Sequence, residues 1–160
     1  EDWDLTYEVN VRGTARVTET VIPHMRDRRY GKIVNIASIA ARQGTPASAA
    51  YGASKAGVLN FTQTMAIRLA SFNINVNAIC PGMLWTPMWR RIAIRYGQMG
   101  TYGDDMSDED VFNAAVKQRI PLGRPQTTAD VGNAVAFLAS DYAENITGQS
   151  LNISGGSHIN

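Results

Sequence analysis

Short runs that read as strands alternate along this chain with stretches of helical spacing, and that order leaves few folds open. Ile33-Val34-Asn35-Ile36-Ala37 is rich in β-branched residues and reads as a buried strand closed by Ser38. Ile74-Asn75-Val76-Asn77-Ala78-Ile79 alternates apolar and polar residues and reads as a second strand, stopped by Pro81-Gly82. Ser150–Ile153 reads as a third, between Thr147-Gly148-Gln149 and Gly155-Gly156. Before the first strand, Leu5, Val9, Val17, Val21, Ile22 and Met25 recur at helical spacing, predicting a helix from Leu5 to about Arg28. Asp2 or Asp4 can cap its start, Pro23 can kink it, and Arg26, Arg28 and Arg29 suit its C-terminal dipole. Residues 39–47 read as a loop, punctuated by Gly44 and Pro46. A long helix is predicted from about Ser48 to Ser71. Its small residues allow close backbone approach, and Val58, Phe61, Met65, Ile67 and Leu69 supply core. Ser107-Asp108-Glu109-Asp110 starts another helix, and Thr127 or Thr128 caps one running through Asp130 to about Ser140.

Strands alternating with helices imply an α/β fold with a doubly wound, Rossmann-like parallel sheet covered on both faces. Three strands alone would expose an edge. The chain therefore reads as the C-terminal part of one larger domain, its N-terminal strands absent.

Composition excludes several partners. The 160 residues carry a net charge of +1, so no basic surplus calls for nucleic acid or an anionic membrane. Apolar runs such as Ala134–Ala139 are too short to span a bilayer, and no start of signal-peptide type is present. The single cysteine, Cys80, excludes an internal disulfide and fits a reducing compartment, so a cytoplasmic location is expected. Between Ile79 and Pro81, it reads as a buried thiol at a strand end. His24 and His158 have no partners at metal-ligand spacing, and no metal site is expected. Asp104, Asp105, Asp108, Glu109 and Asp110 read as a solvated helix start.

The chemistry centres on Tyr51-Gly52-Ala53-Ser54-Lys55. A tyrosine and a lysine four apart share one helix face. A phenol, with an unperturbed pKa near ~10, is a weak acid, and a neighbouring ammonium favours its phenolate. The pair has the parts of a tunable proton donor, although the spacing alone also describes many surface pairs. Ser38 ends one predicted strand and Pro81-Gly82 the next, so both fall on one edge of the sheet, where ligands of parallel α/β sheets bind. The small residues around Tyr51 would let a flat ligand approach the helix. The stretch Met83 to Asp105 concentrates Trp85, Trp89, Tyr96 and Tyr102 with Met83, Met88 and Met99.

Taken together these motifs resemble the C-terminal portion of the short-chain dehydrogenase/reductase family. The resemblance is carried by Asn10 in Val9-Asn10-Val11-Arg12-Gly13, Ser38 in Ile36-Ala37-Ser38, Tyr51 with Lys55, and Asn77-Ala78-Ile79-Cys80-Pro81-Gly82 with Thr86 beyond it. Gly123-Arg124-Pro125, Ala129-Asp130-Val131, Phe137-Leu138, Thr147-Gly148-Gln149 and Gly155-Gly156 extend it to the end in the expected order.

The resemblance implies a catalytic group of Asn10, Ser38, Tyr51 and Lys55. Tyr51 would be the acid for carbonyl reduction and the base for alcohol oxidation. Lys55 would tune that phenol and bond the nicotinamide ribose, Ser38 would hold the substrate oxygen, and Asn10 would anchor a water in the proton relay. Tyr51, Lys55, Pro81, Gly82, Met83, Leu84 and Thr86 would face the cofactor, NAD or NADP. Residues 83–118, above all the stretch 83–103, would form a substrate-binding loop or lid. Trp85, Met88, Trp89 and Tyr96 would be substrate contacts beside Ser38, with core packing or a subunit contact as the other reading of that stretch. A homotetramer or homodimer through the long helix and the C-terminal strand is implied.

The family's phosphate-binding glycine turn and its NAD-or-NADP selector are expected upstream of Glu1, in a part on the order of 90 residues. The implied activity is hydride transfer between a nicotinamide and a secondary alcohol or ketone, with a polyol, sugar or hydroxyketone favoured. The alternatives are a non-catalytic or truncated binding or assembly module of the same fold, and a dehydratase or epimerase using the same Tyr-Lys pair.

Overall fold

The computed structural model describes residues 2–44, 48–103 and 105–159. Three parallel strands, β1 (Gly31–Ile36), β2 (Ile74–Pro81) and β3 (Ser150–Ile153), stand in the order β1-β2-β3. Ile33 pairs with Val76 and Ile36 with Ile79, whereas Ala78 pairs with Ser150 and Pro81 with Ile153. The parallel α/β architecture expected from the alternating elements is present. The long edge of β1 is unpaired among the described residues.

The first helical stretch starts earlier than its apolar spacing suggested. Asp2 is the cap, accepting the Leu5 N–H at 2.9 Å. The stretch is also not uniform: α1 (Trp3–Tyr7) passes into a π-helical turn at Glu8–Arg12 before α2 (Gly13–Arg28). A π turn inserts one residue into the helical repeat, and here it carries Asn10. The helix continues through Pro23 and ends at Arg29, which is left-handed at φ 49°.

The long helix α3 (Ala49–Leu69) gives way to a short 3-10 turn and the left-handed Asn73. After β2 come α4 (Pro87–Gln98), capped by Thr86, and α5 (Asp108–Arg119), capped by Ser107. Then α6 (Thr128–Ala139) begins with a reciprocal capping box between Thr127 and Asp130. Thr127, not Thr128, is its cap. Pro46 and Asp104 lie outside the described residues.

Side chains of β2 alternate between two helix-covered faces. Ile74 and Val76 pack with Met65, Ala66 and Leu69 of α3, and Ala78 and Cys80 pack with Val58 of the same helix. On the other face Ile79 meets Ala134 and Leu138 of α6. A half-exposed strand is what the Ile-Asn-Val-Asn pattern suggests; instead Ile74 through Cys80 are all buried. The reason is the connection into β3. Asn75 Nδ2 donates to the carbonyls of Glu144 and Ile146, and Asn77 Nδ2 donates to that of Ile146 at 2.8 Å. Asn77 Oδ1 accepts the Gln149 N–H at 3.0 Å. These amides take over the backbone groups of a segment running beside β2 before β3 can pair with it, so their burial is fully hydrogen-bonded.

A separate small core joins α4 to α5: Met83, Phe112, Ala115, Val116 and Ile120, with Trp89 and Tyr102 against it.

Candidate functional site

The carboxyl ends of β1 and β2 lie side by side, and the chain leaves them in two short turns. After β1 the Ala37 N–H still donates to the Ile79 carbonyl at 2.8 Å, and buried Ser38 follows at the strand mouth. Its Oγ accepts the Ala40 N–H at 3.2 Å and so caps the 3-10 turn Ile39–Ala41. A hydroxyl has one donor as well as its lone pairs, so this cap leaves the Ser38 O–H available to a substrate oxygen. The turn lies hard against α3. A Cβ on Gly52 would stand 3.1 Å from the Ala40 carbonyl oxygen. The glycine beside Tyr51 therefore admits the Ser38 turn.

Tyr51 is half-buried on α3. One turn on, Lys55 places Nζ 5.8 Å from the Tyr51 ring centre and donates to the Ile36 carbonyl at 2.9 Å. That bond ties the ammonium to the end of β1, two residues before Ser38. Burial holds the Lys55 pKa below the usual lysine range, an effect partly offset by Cys80. Lys55 has three N–H bonds, and Ile36 occupies one of them. The remaining donors suit the vicinal hydroxyls of a ribose.

Asn10 reaches the same place from the π turn. Its Nδ2 donates to Ser54 Oγ at 3.0 Å, and Ser54 donates in turn to the Tyr51 carbonyl at 2.8 Å. Ser54 spends its only proton on that carbonyl. It can therefore only accept from Asn10, which sets the Asn10 amide with nitrogen toward Ser54 and leaves Oδ1 for another donor. The Asn10 carbonyl accepts the Thr14 hydroxyl at 2.7 Å. Asn10, Thr14, Ile36 and Lys55 line one hollow. The structure thus gathers Asn10, Tyr51 and Lys55 around Ser54 and Ile36, with Ser38 on the adjoining turn.

The second turn, from β2 into α4, is held from behind. The Gly82 N–H donates to the Ile153 carbonyl at 2.9 Å, continuing the ladder to β3. Met83 is buried in the α4–α5 core, and both its backbone groups are engaged by Gln126. Leu84 is half-buried beyond it. Thr86 accepts the Trp89 N–H at 3.4 Å as the cap of α4, which leaves its O–H to donate.

The aromatic stretch divides. Trp89 packs edge-on to Phe112 at 5.3 Å, and Tyr96 edge-on to Tyr102 at 5.9 Å with Arg119 over both rings. These side chains join α4 to α5. Trp85, whose ring centre lies 5.0 Å from Phe112, and Met88 are exposed and keep free surface for a ligand.

Cys80 is buried, and burial pushes its thiol up despite the nearby Arg42, as expected of a packing residue. Arg42 donates from Nε to Asn152 Oδ1 at 2.8 Å and from Nη2 to the Ser150 carbonyl at 2.7 Å, fastening the loop after Ser38 to β3. No cluster of metal-ligating side chains occurs among the described residues. Ser54, Thr14, Arg42 and Gln126 escaped the sequence reading. Only Ser54 carried a signal there, as a hydroxyl one residue before Lys55 on the helix face that meets the core.

The set of groups present fits the nicotinamide end of a dinucleotide: a free serine hydroxyl, a partly desolvated ammonium, and a glycine turn at the carboxyl edge of a parallel sheet.

Known proteins resemble the chain over nearly its whole length. The family described as enoyl-(acyl carrier protein) reductase matches residues 1–158. A 3-oxoacyl-(acyl-carrier-protein) reductase of Thermotoga maritima is 40% identical over 156 residues, covering 98% of this chain and 57% of that protein. Among solved structures, an actinorhodin polyketide ketoreductase variant with NADPH superposes with a TM-score of 0.88 at 37% identity, over 98% of this chain and 60% of that one. An NAD+-bound xylitol dehydrogenase gives 0.87 at 36% identity, over 97% and 60%. The chain thus spans about 60% of the length of the proteins it matches.

Proposed function

The chain belongs to the short-chain dehydrogenase/reductase family, and on that premise we propose that it supplies the proton-handling part of an NAD(P)-dependent oxidoreductase acting on a secondary alcohol or ketone. The observation that carries this reading is the convergence of Tyr51, Lys55 and Asn10 around Ser54 and the end of β1, with the Ser38 hydroxyl on the next turn. The nicotinamide, when bound, would supply or take the hydride; the handling of the proton falls to this chain.

Ser38 donates to the substrate oxygen and holds it against the mouth of β1. Tyr51 delivers a proton to that oxygen in reduction and removes it in oxidation. Lys55 stabilises the phenolate left behind and donates to the ribose hydroxyls. After the transfer Lys55 passes a proton back to the Tyr51 phenolate, and Asn10, its amide oriented by Ser54, accepts from the water that restores the proton to Lys55. Gly82, Leu84 and Thr86 line the nicotinamide side, and Met83 fixes their turn. Residues 83–118 form the substrate lid, with Trp85 and Met88 as its free contacts and Trp89 and Tyr96 as its internal brace.

The favoured substrates are small polyols, sugars and hydroxyketones. The xylitol dehydrogenase likeness supports a polyol, and the likeness to the Thermotoga maritima reductase supports a 3-oxoacyl compound. The test is titration of the full-length protein with NADH and NADPH, followed by product analysis on a panel of polyols, hydroxyketones and 3-oxoacyl thioesters. Saturable binding with hydride transfer is expected. Product without net redox would identify a dehydratase or epimerase, and no binding of either cofactor would leave a non-catalytic module. Assembly into a homodimer or homotetramer is proposed through the outer face of α3, where Ile67 is 81% exposed, and through the β3 edge, where Leu151 is exposed. A monomer in sedimentation at micromolar concentration would contradict it.

A further inference from the structure

We propose that Gln126 is a positioning residue for the turn that faces the cofactor, a role that rests on the functional reading above. Gln126 is buried and sits immediately before Thr127, the cap of α6. The capping box holds that cap: the Thr127 N–H donates to Asp130 Oδ2 at 2.7 Å, and Thr127 Oγ1 accepts the Asp130 N–H at 3.1 Å. From this fixed point Gln126 grips Met83 twice. Its N–H donates to the Met83 carbonyl at 3.0 Å, and its side-chain Oε1 accepts the Met83 N–H at 2.8 Å.

Among the described residues these two are the hydrogen bonds of Met83-Leu84-Trp85, the link between the end of β2 and the cap of α4. The side chain reaches Met83 through a slot kept open by glycines. A Cβ on Gly82 would lie 2.5 Å from Gln126 Oε1, and one on Gly155 would lie 3.0 Å from its Nε2. A side chain at position 82 would therefore push the Gln126 amide away from the Met83 N–H and crowd the Ser154 Cα, 3.1 Å away.

The consequence is mechanical. One buried amide sets where the chain leaves β2, and with it where Leu84 and Thr86 stand and from what point α4 departs. A preorganised turn spares a ligand the cost of ordering it. Removing the acceptor also leaves the buried Met83 N–H unpaired, which favours a shifted turn.

The experiment uses the full-length protein and three variants. Gln126→Leu keeps the bulk and removes the acceptor, Gln126→Glu keeps an acceptor oxygen in place, and Gln126→Asn is too short to reach. Cofactor dissociation constants are measured by fluorescence titration, kcat at saturating cofactor, and melting by circular dichroism. Q126L and Q126N are expected to weaken NAD(P)H binding about tenfold, with kcat held within about threefold and Q126E close to wild type. Binding within about twofold of wild type in a folded Q126L, or equal loss in Q126L and Q126E, overturns the proposal while leaving the functional reading intact. Failure of both Q126L and Q126N to fold would make the role purely structural and overturn it as well. A wild-type protein that binds neither cofactor would remove the functional reading and this proposal with it.

Discussion

Replacing Lys55 by methionine isolates the charge beside Tyr51. Methionine keeps much of the side chain's length and apolar stem while removing the ammonium. In the structure Nζ stands 5.8 Å from the ring over which a phenolate charge spreads. At an effective dielectric constant of about 20, that separation is worth about 3 kcal/mol. Lys55 is only half-buried, so water trims the figure, and a fall in kcat of about thirtyfold to a hundredfold is expected for Lys55→Met.

Stability moves differently. Burial disfavours the Lys55 ammonium, whose pKa lies below the usual lysine range, so the unfolded chain binds that proton more tightly than the folded one. The charge therefore costs stability in full at pH values below both pKa values, and the cost fades as pH rises through the folded and then the unfolded value. Methionine removes this cost but also loses the bond to the Ile36 carbonyl. The two effects oppose each other, so the melting temperature at neutral pH should change by no more than about 4 °C. Steady-state kinetics on a ketone with saturating reduced cofactor, run beside a thermal melt, separates the two quantities. A folded Lys55→Met enzyme with kcat within about threefold of wild type would refute the electrostatic reasoning.

Two further substitutions probe the supports. Ser54→Ala removes the acceptor of Asn10 and the donor to Tyr51; it should lower stability by about 1–2 kcal/mol in urea unfolding and lower kcat more than it raises KM, whereas unchanged stability and kcat would dismiss the bridge. Asn77→Ala leaves the Gln149 N–H unpaired and removes one of the two donors to the Ile146 carbonyl, the other being Asn75, at a fully buried site; a loss of about 1–3 kcal/mol is expected in the same assay, and one below about 0.5 kcal/mol would show that water replaces the amide.

Elements whose identity rests on local chemistry were legible in the sequence. Thr127 with Asp130, Ser107 before its acidic turn, and the β-branched run ahead of Ser38 each declare themselves within a few residues. The Tyr51–Lys55 pair is legible for the same reason, since a helix turn fixes its geometry. What was not legible depends on parts far apart in sequence. The π turn at Glu8–Arg12 shows no local signal, and it is bound through Asn10 to Ser54 on another helix. Asn75 and Asn77 resemble the solvent face of a strand until the Glu144–Gln149 segment is laid over them. Gly82 reads as a turn residue until Gln126 is placed in the space its missing Cβ leaves. The aromatic stretch could not be divided into brace and free surface before α5 brought Phe112 against both Trp85 and Trp89.

The central claim is that Tyr51 moves the proton while the rest of the site holds the reactants. The most direct test is Tyr51→Phe in the full-length protein, which removes one hydroxyl from a half-buried ring. Turnover of ketone by reduced cofactor should fall at least about a hundredfold, with the cofactor dissociation constant within about threefold of wild type. Turnover near the wild-type rate across polyols and hydroxyketones would contradict the account.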